Sequence, residues 1–335
     1  MRAAIMQGLH KPLLVETLPD PTPGAGELVV KVGRCGICGS DLHMTEDAGY
    51  GKGAGDVLGH EFAGEIVALG KGVEGYKTGD LVSVSPLKSC GQCAACRAGE
   101  VAWCDQFGLQ MGGYAEYAVA NPNQCVKLPA ALSLEDGAIV EPLAVALHGV
   151  SMSGIKPGDR VLILGAGPIG LAVAFWARRA GASRVVLQDV AEWQRERALD
   201  MGASDFVVDR ADPVGASTRA LGGLADIVFE CVGVPGLIAQ AVQQVRPRGT
   251  ILLLGLCSTP DTFNSFAMLS KEVRLVTSAF FTRGEYEASL DALERGAAEP
   301  RALVTETISL AQTPDMFESL KKRTHQCKVM IAPEL

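Results

Sequence analysis

The sequence predicts an α/β protein of two domains, one β-rich and one a doubly wound parallel sheet. Three observations carry that expectation. Its 335 residues exceed a single domain of roughly 150 and point to two, each large enough to bury a core. Up to residue 150, short β-branched runs are separated by Gly, Pro and Asp turns, the texture of sandwiches and barrels. From Gly158 onward, apolar strand patterns alternate with helical ones, which is the signature of a parallel sheet.

In chain order, Glu27–Val32, Ile66–Leu69 and Leu81–Val84 read as strands, set off by turns at Pro23–Gly26, Gly70–Gly75 and Thr78–Asp80. The second region alternates Arg160–Leu164 (strand), Gly170–Ala180 (helix), Arg184–Asp189 (strand), Glu192–Met201 (helix) and Asp205–Val208 (strand). Ala225–Cys231, Leu237–Val245 and Thr250–Leu254 continue the pattern. A helix over Glu285–Arg295, a strand over Leu303–Ile308, a helix over Gln312–Lys322 and a strand over Lys328–Ile331 close the chain. The last part is expected to return to the first domain, giving a discontinuous domain of 1–150 and 281–335 around an insert of 151–280.

Composition narrows the function classes. Thirty Lys and Arg against 38 Asp and Glu leave a net charge of -8, without basic blocks, which argues against nucleic acid. Val161–Ala177 is uncharged over 17 residues, but that is short of the ~20 a membrane helix needs, and Gly165, Gly167, Pro168 and Gly170 interrupt it. Met1–Asp20 lacks an apolar run of signal-peptide length, so the expected compartment is the reducing cytoplasm. There, clustered cysteines hold metal more readily than they pair.

Such a cluster is present. Cys90, Cys93, Cys96 and Cys104 can close four thiolates around one ion, leaving no open position, so a structural zinc is expected and an iron–sulfur cluster is the rival. Upstream, Cys38 and His60, with Glu61 or Glu141, would supply the thiolate, imidazole and carboxylate of an open zinc site. Spacing alone leaves Cys38 and His60 readable as core residues. Cys35, Cys125, Cys231, Cys257 and Cys327 read as inert thiols.

Gly165-Ala-Gly167-Pro168-Ile169-Gly170 places G-x-G-x-x-G between a strand and a helix, where backbone amides and a helix N-terminus receive a pyrophosphate. Asp189 ends the next strand, where an acid binds ribose hydroxyls and repels a 2′-phosphate, which favours NAD over NADP. The alternative for Asp189 is a cap on the following helix. Arg195, on that helix, would weaken the preference if turned toward the ribose.

Together these motifs resemble the zinc-dependent medium-chain dehydrogenase/reductase family, nearest its polyol (sorbitol-like) branch. The matching segments are Cys38–His43, Gly59–Gly64, Gly79-Asp80, the four-cysteine loop, Gly113–Tyr117, Glu141–Leu143, Gly165–Gly170 and Phe229–Gly233, which includes Val232. The resemblance implies a GroES-like catalytic domain, a Rossmann domain, and a cleft site with two zincs per chain, one catalytic and one structural. It also implies Cys38 and His60 as catalytic ligands, Glu61 as a third, and Glu141 as a ligand or the holder of a zinc-bound water. By the same resemblance, Ser40 meets the substrate oxygen and His43 relays its proton to solvent. The plainer reading of Ser40 and Asp41 is a turn or helix cap. Zinc then lowers the pKa of an alcohol whose carbon gives a hydride to NAD.

Polyol dehydrogenases carry an aromatic hydroxyl where this chain has Met44, and Arg-Tyr where Phe281 and Thr282 follow Phe280. With Met44, Phe280 and Phe281 as pocket walls, the expected substrate is a secondary alcohol or ketone less hydroxylated than a hexitol. True polyol oxidation is the alternative. A zinc-free enone reductase and a non-catalytic NAD-binding protein are rivals that the retained ligands disfavour. Relatives imply a homodimer or homotetramer, with Leu252–Leu256 and Arg274–Phe280 as the expected interface.

Overall fold

The computed structural model describes residues 1–322 and 324–335. The chain forms two compact units: Met1–Glu141 with Thr282–Ala297 and Val304–Leu335, and Pro142–Phe281 with Ala298–Leu303.

In the first unit one strand organises the rest. Leu28–Gly36 buries Leu28, Val30, Val32 and Cys35, and pairs antiparallel with Glu61–Leu69, setting Cys35 opposite Phe62 and Gly36 opposite Glu61. Its other side pairs with the closing strand Lys328–Ala332 through Met330↔Gly36 and Ile331↔Cys35, and with Tyr117–Ala120. The seven-stranded sheet runs Val304–Ser309, Lys328–Ala332, Leu28–Gly36, Glu61–Leu69, Leu81–Val84 and Cys125–Lys127, with Tyr117–Ala120 off this path. Its core includes Phe62, Ile66, Val82, Val84 and Phe317. Burying each such side chain contributes about 1.5–3 kcal/mol. For function the important result is local. Segments near residues 36, 61 and 328 end side by side, so the side chains just beyond them must face one another.

The second unit is a six-stranded parallel sheet in the order Asp205–Val207, Arg184–Gln188, Arg160–Leu164, Ala225–Glu230, Val245–Leu253, Arg274–Thr277. Val161, Leu162, Ile163 and Leu164 are all buried, as both faces of such a sheet are covered. The uncharged run therefore divides into this strand and the helix Pro168–Arg179, whose Leu171–Ala177 stretch is buried. No helix among the described residues is long and apolar enough to cross a membrane.

Two boundaries differ from expectation. The first unit ends at Glu141 rather than at 150, and Ala298–Leu303 returns to the second unit. Residues 140–153 also form a helix within a region read as strands and loops.

Candidate metal centres and cofactor loop

Cys38 is the N-cap of the short helix Gly39–Met44, and the Asp41 carboxylate reaches back to accept its backbone N–H at 3.2 Å. Cys38 stands by His60 and Glu61, the latter being the first residue of the neighbouring strand Glu61–Leu69. One ligand atom from each of Cys38, His60 and Glu61 lies within 4.8 Å of the others. A thiolate, an imidazole and a carboxylate suit a tetrahedral zinc with one position left open.

The groups behind these three fix them. Asp41 is fully buried, and its Oδ1 lies 3.1 Å from His60 Nδ1, while its Oδ2 accepts the Tyr114 hydroxyl at 2.6 Å. A carboxylate acceptor keeps the proton on Nδ1 and leaves Nε2 for a metal. Burial alone would raise the Asp41 carboxyl, but His60, Tyr114 and the Cys38 amide together hold it below the usual range. In the sequence Asp41 reads only as a turn or cap residue. Its role toward His60 appears once His60 is placed beside it.

Glu61, 1% exposed, is paired with the equally buried Lys328, whose Nζ donates to Oε1 at 2.7 Å and lies 2.6 Å from Oε2. Oε2 is buried and has no hydrogen bond of good geometry among the described residues, its neighbour being the same Lys328 ammonium. Gly36 makes room, since a Cβ there would sit 2.2 Å from Oε2. Lys328 also donates to the Ile37 carbonyl at 3.0 Å. Burial would lower its ammonium, yet Glu61 and Cys38 hold it well above the usual lysine range. Nothing in the sequence near Glu61 announces a residue so far away in the chain.

Glu141 lies outside the three-ligand group. It is buried, and burial pushes its carboxyl up to about 7, against the pull of His60 and with the push of Glu61. Ser40 Oγ donates to Cys38 Sγ at 3.2 Å, and His43 lies one turn further on the same helix, its ring 6.4 Å from that of Tyr50.

The second cysteine group brings all four sulfurs within 4.8 Å of one another. Cys93 and Cys96 sulfurs are 3.5 Å apart, and those of Cys90 and Cys96 are 3.9 Å apart. Four sulfurs at about 2.3 Å from one zinc stand about 3.8 Å apart, whereas a cluster of several irons would spread them wider. The geometry suits a single ion. Backbone amides of Cys93, Cys96, Cys90 and Gln106 donate to the sulfurs of Cys90, Cys93, Cys104 and Cys104 respectively, at 3.3–3.5 Å. The Cys96 amide in particular pulls the Cys93 thiol down to about 6.

In the second unit, Gly165 follows the strand Arg160–Leu164, and Gly167 caps the helix Pro168–Arg179 with Pro168 in its first turn. A Cβ on Gly170 would lie 2.0 Å from the Gly165 carbonyl oxygen, so the loop closes only with glycine there. Asp189 Oδ2 accepts the Ala166 amide at 2.8 Å and its Oδ1 the Val190 amide at 2.6 Å, tying the strand end to the glycine loop. Ile169 is partly exposed at the helix start, and the Val232 side chain reaches to 2.5 Å of the Cβ that Gly165 lacks. The buried Glu230 accepts the amides of Val232 at 2.8 Å and Gly233 at 2.9 Å, fixing that turn.

Three expected site residues have other engagements. Arg195 is ion-paired with Glu192 at 2.7 Å and lies over the Phe206 ring, which occupies its guanidinium. Met44 is 4% exposed and packs in the first unit's core, so it is not offered as a pocket wall. Phe281 is also buried, at 3% exposure, whereas Phe280 is partly exposed with a left-handed φ of 61°.

Residues 24–130 match the family model described as the alcohol dehydrogenase GroES-like domain, and residues 168–295 that of zinc-binding dehydrogenases. A sorbitol dehydrogenase of Bacillus subtilis is 30% identical, over 99% of this chain and 97% of its own. The (R,R)-butanediol dehydrogenase of the same organism is 32% identical over 97% of each. Among solved structures, an Escherichia coli CFT073 alcohol dehydrogenase complexed with NADH is similar with a TM-score of 0.90 and 29% identity, covering 99% of both chains. A zinc-binding dehydrogenase of Sinorhizobium meliloti bound to NADP is similar with a TM-score of 0.89 and 32% identity, again over 99% of both.

Proposed function

The chain belongs to the zinc-dependent medium-chain dehydrogenase/reductase family, near its polyol dehydrogenases, and from that premise we propose that it moves a hydride between a secondary alcohol or ketone and NAD(H). The convergence of Cys38, His60 and Glu61 within 4.8 Å carries this reading. Zinc held by these three would supply Lewis acidity, easing loss of an alcohol proton or polarising a carbonyl. Asp41 keeps His60 in the tautomer a metal needs. The Ser40 hydroxyl would accept the alcohol proton while giving up its own toward His43, which would release a proton to solvent. Amides of the glycine loop and the first turn of the helix Pro168–Arg179 hold the pyrophosphate. The four-cysteine loop holds a second, closed zinc.

The NAD preference is supported by Asp189, whose carboxylate stands at the strand end beside the glycine loop and would repel a 2′-phosphate. For the substrate we propose a secondary alcohol with fewer hydroxyls than a hexitol, in line with the butanediol dehydrogenase among the relatives. Met44, being buried, lends this no support, and Phe280 remains. The sorbitol dehydrogenase relative favours the second reading, polyol oxidation. Association into a homo-oligomer through the sheet edge Arg274–Thr277, where Leu275 is exposed, is part of the proposal.

The test is a panel of secondary alcohols, 2,3-butanediol, cyclohexanol, sorbitol and xylitol, assayed with NAD and NADP. We expect the highest kcat/KM with NAD and a mono- or dihydroxy substrate. A large advantage for sorbitol or xylitol would establish the second reading. Alcohol-dependent NADH formation that survives Cys38→Ser would overturn the mechanism.

A further inference from the structure

We propose that Arg210 is a latent receptor for a cofactor 2′-phosphate, set beside Asp189 and opposing it, so that the pair fixes how strictly NADP is refused. This deepens the reading of the glycine loop and Asp189 as the cofactor site, and it rests on that reading.

The strand end that carries Asp189 lies against the next strand, Asp205–Val207, with the Asp189 amide donating to the Val207 carbonyl at 3.1 Å. Arg210 stands just beyond that strand and folds back over the shared edge. Its Nε and Nη2 donate to the Val190 carbonyl at 3.3 and 2.9 Å. Val190 therefore ties down both charges, since its amide donates to Asp189 Oδ1 at 2.6 Å while its carbonyl holds the guanidinium. A guanidinium carries five N–H donors in a planar fork that matches a phosphate. Here Nη1 donates to no group among the described residues, and the side chain is exposed and makes no ion pair among them. The nearby cations are occupied by contrast: Arg195 is ion-paired with Glu192, and Arg197 donates to the Ala302 carbonyl at 2.7 Å. The nearest acid in sequence, Asp209, accepts the amides of Ala211 and Asp212, each at 2.9 Å, and so shapes the Arg210 loop. Ribose hydroxyls are met at the end of the strand that follows the glycine loop. A 2′-phosphate there would stand between a repelling carboxylate and an attracting guanidinium. With Asp189 charged the two oppose each other, and NAD keeps hydroxyl bonds that NADP lacks. Without that charge the attraction is left alone.

The experiment measures Kd by calorimetry for two adenosine fragments, 5′-AMP and 2′,5′-ADP, which differ by the 2′-phosphate alone. The proteins, all zinc-loaded, are wild type, Asp189→Asn, Arg210→Gln and the Asp189→Asn/Arg210→Gln double variant. Asp189→Asn should tighten 2′,5′-ADP relative to 5′-AMP by roughly tenfold or more, the scale of one charge-assisted hydrogen bond. Adding Arg210→Gln should cancel that gain and leave 5′-AMP bound as it is by Asp189→Asn. Salt should weaken 2′,5′-ADP binding to Asp189→Asn more than to the double variant. A double variant that holds 2′,5′-ADP as tightly as Asp189→Asn overturns the proposal. So does an equal loss of both fragments on removing Arg210, which would make it an adenine contact or a loop anchor only. If Asp189→Asn binds neither fragment, Asp189→Ser, with a shorter side chain and more room for a phosphate, makes the same comparison. NADH binding to the wild type separates this proposal from its premise, because a folded protein that binds no NADH defeats the cofactor-site reading whatever Arg210 does.

Discussion

Replacing Asp41 with Asn keeps the shape of a fully buried side chain and removes its charge. Three donors converge on this carboxylate: His60 Nδ1 on Oδ1, and the Tyr114 hydroxyl and Cys38 amide on Oδ2. An amide has only one acceptor oxygen. Placed at Oδ2 it keeps two bonds, but its NH2 then faces His60 and drives the proton to Nε2, the nitrogen a metal needs. Placed at Oδ1 it keeps His60 and sets buried donors against each other at Oδ2. The first orientation loses less, so the charge-assisted bond to His60 is the one given up. Such a bond contributes about 1.5–3 kcal/mol, which converts to an affinity loss of about 10- to 150-fold. The assay is competition for zinc against a chelator at neutral pH, with circular dichroism to verify the fold. Tyr114→Phe is the control, since it removes one donor without touching the His60 tautomer and should cost less than Asp41→Asn. Zinc affinity unchanged in a folded Asp41→Asn protein would refute the reasoning.

Other predictions follow from the same geometry. Gly170→Ala forces a Cβ to 2.0 Å from the Gly165 carbonyl oxygen, so NADH binding followed by fluorescence should be lost while zinc content stays unchanged. Asp189→Asn removes the charge facing a 2′-phosphate, and the ratio of kcat/KM for NAD over NADP should fall at least about tenfold. Cys104→Ser should remove one zinc and lower Tm with the open site still loaded, as read by metal analysis and calorimetry. In metal-stripped protein the Cys93 thiol, lowered to about 6, is mostly thiolate at pH 7. Alkylation at Cys93 should therefore still run at about half its plateau at pH 6, where an ordinary thiol of pKa ~8.5 has slowed tenfold for each unit below its own value.

How much of this could be read in the sequence depends on how local each feature is. The four cysteines lie within one loop, and Gly165–Gly170 within one turn, so ligand spacing and backbone freedom were visible before any folding. The alternation from Gly158 to Leu254 made the parallel sheet readable for the same reason. The helix at residues 140–153 was not, because it is apolar around nearly its whole circumference and has no periodic contrast, and Pro142 and Gly149 imitate a break. Pro142 falls in its first turn, where a missing amide costs little. Lys328 could not be tied to Glu61 because only the pairing of the closing strand with Leu28–Gly36 brings them together. Met44 misled for a related reason. Its place after His43 suggested a pocket wall, but the short helix turns it into the core.

The central claim is that Cys38 and His60 hold a second zinc, apart from the four-cysteine ion. Zinc per chain, measured by elemental analysis on purified wild type and on Cys38→Ser, tests it most directly. The account predicts two zincs in the wild type, matching the two ligand groups, and one in the variant, with NADH binding retained and alcohol oxidation lost. One zinc in both proteins would contradict it.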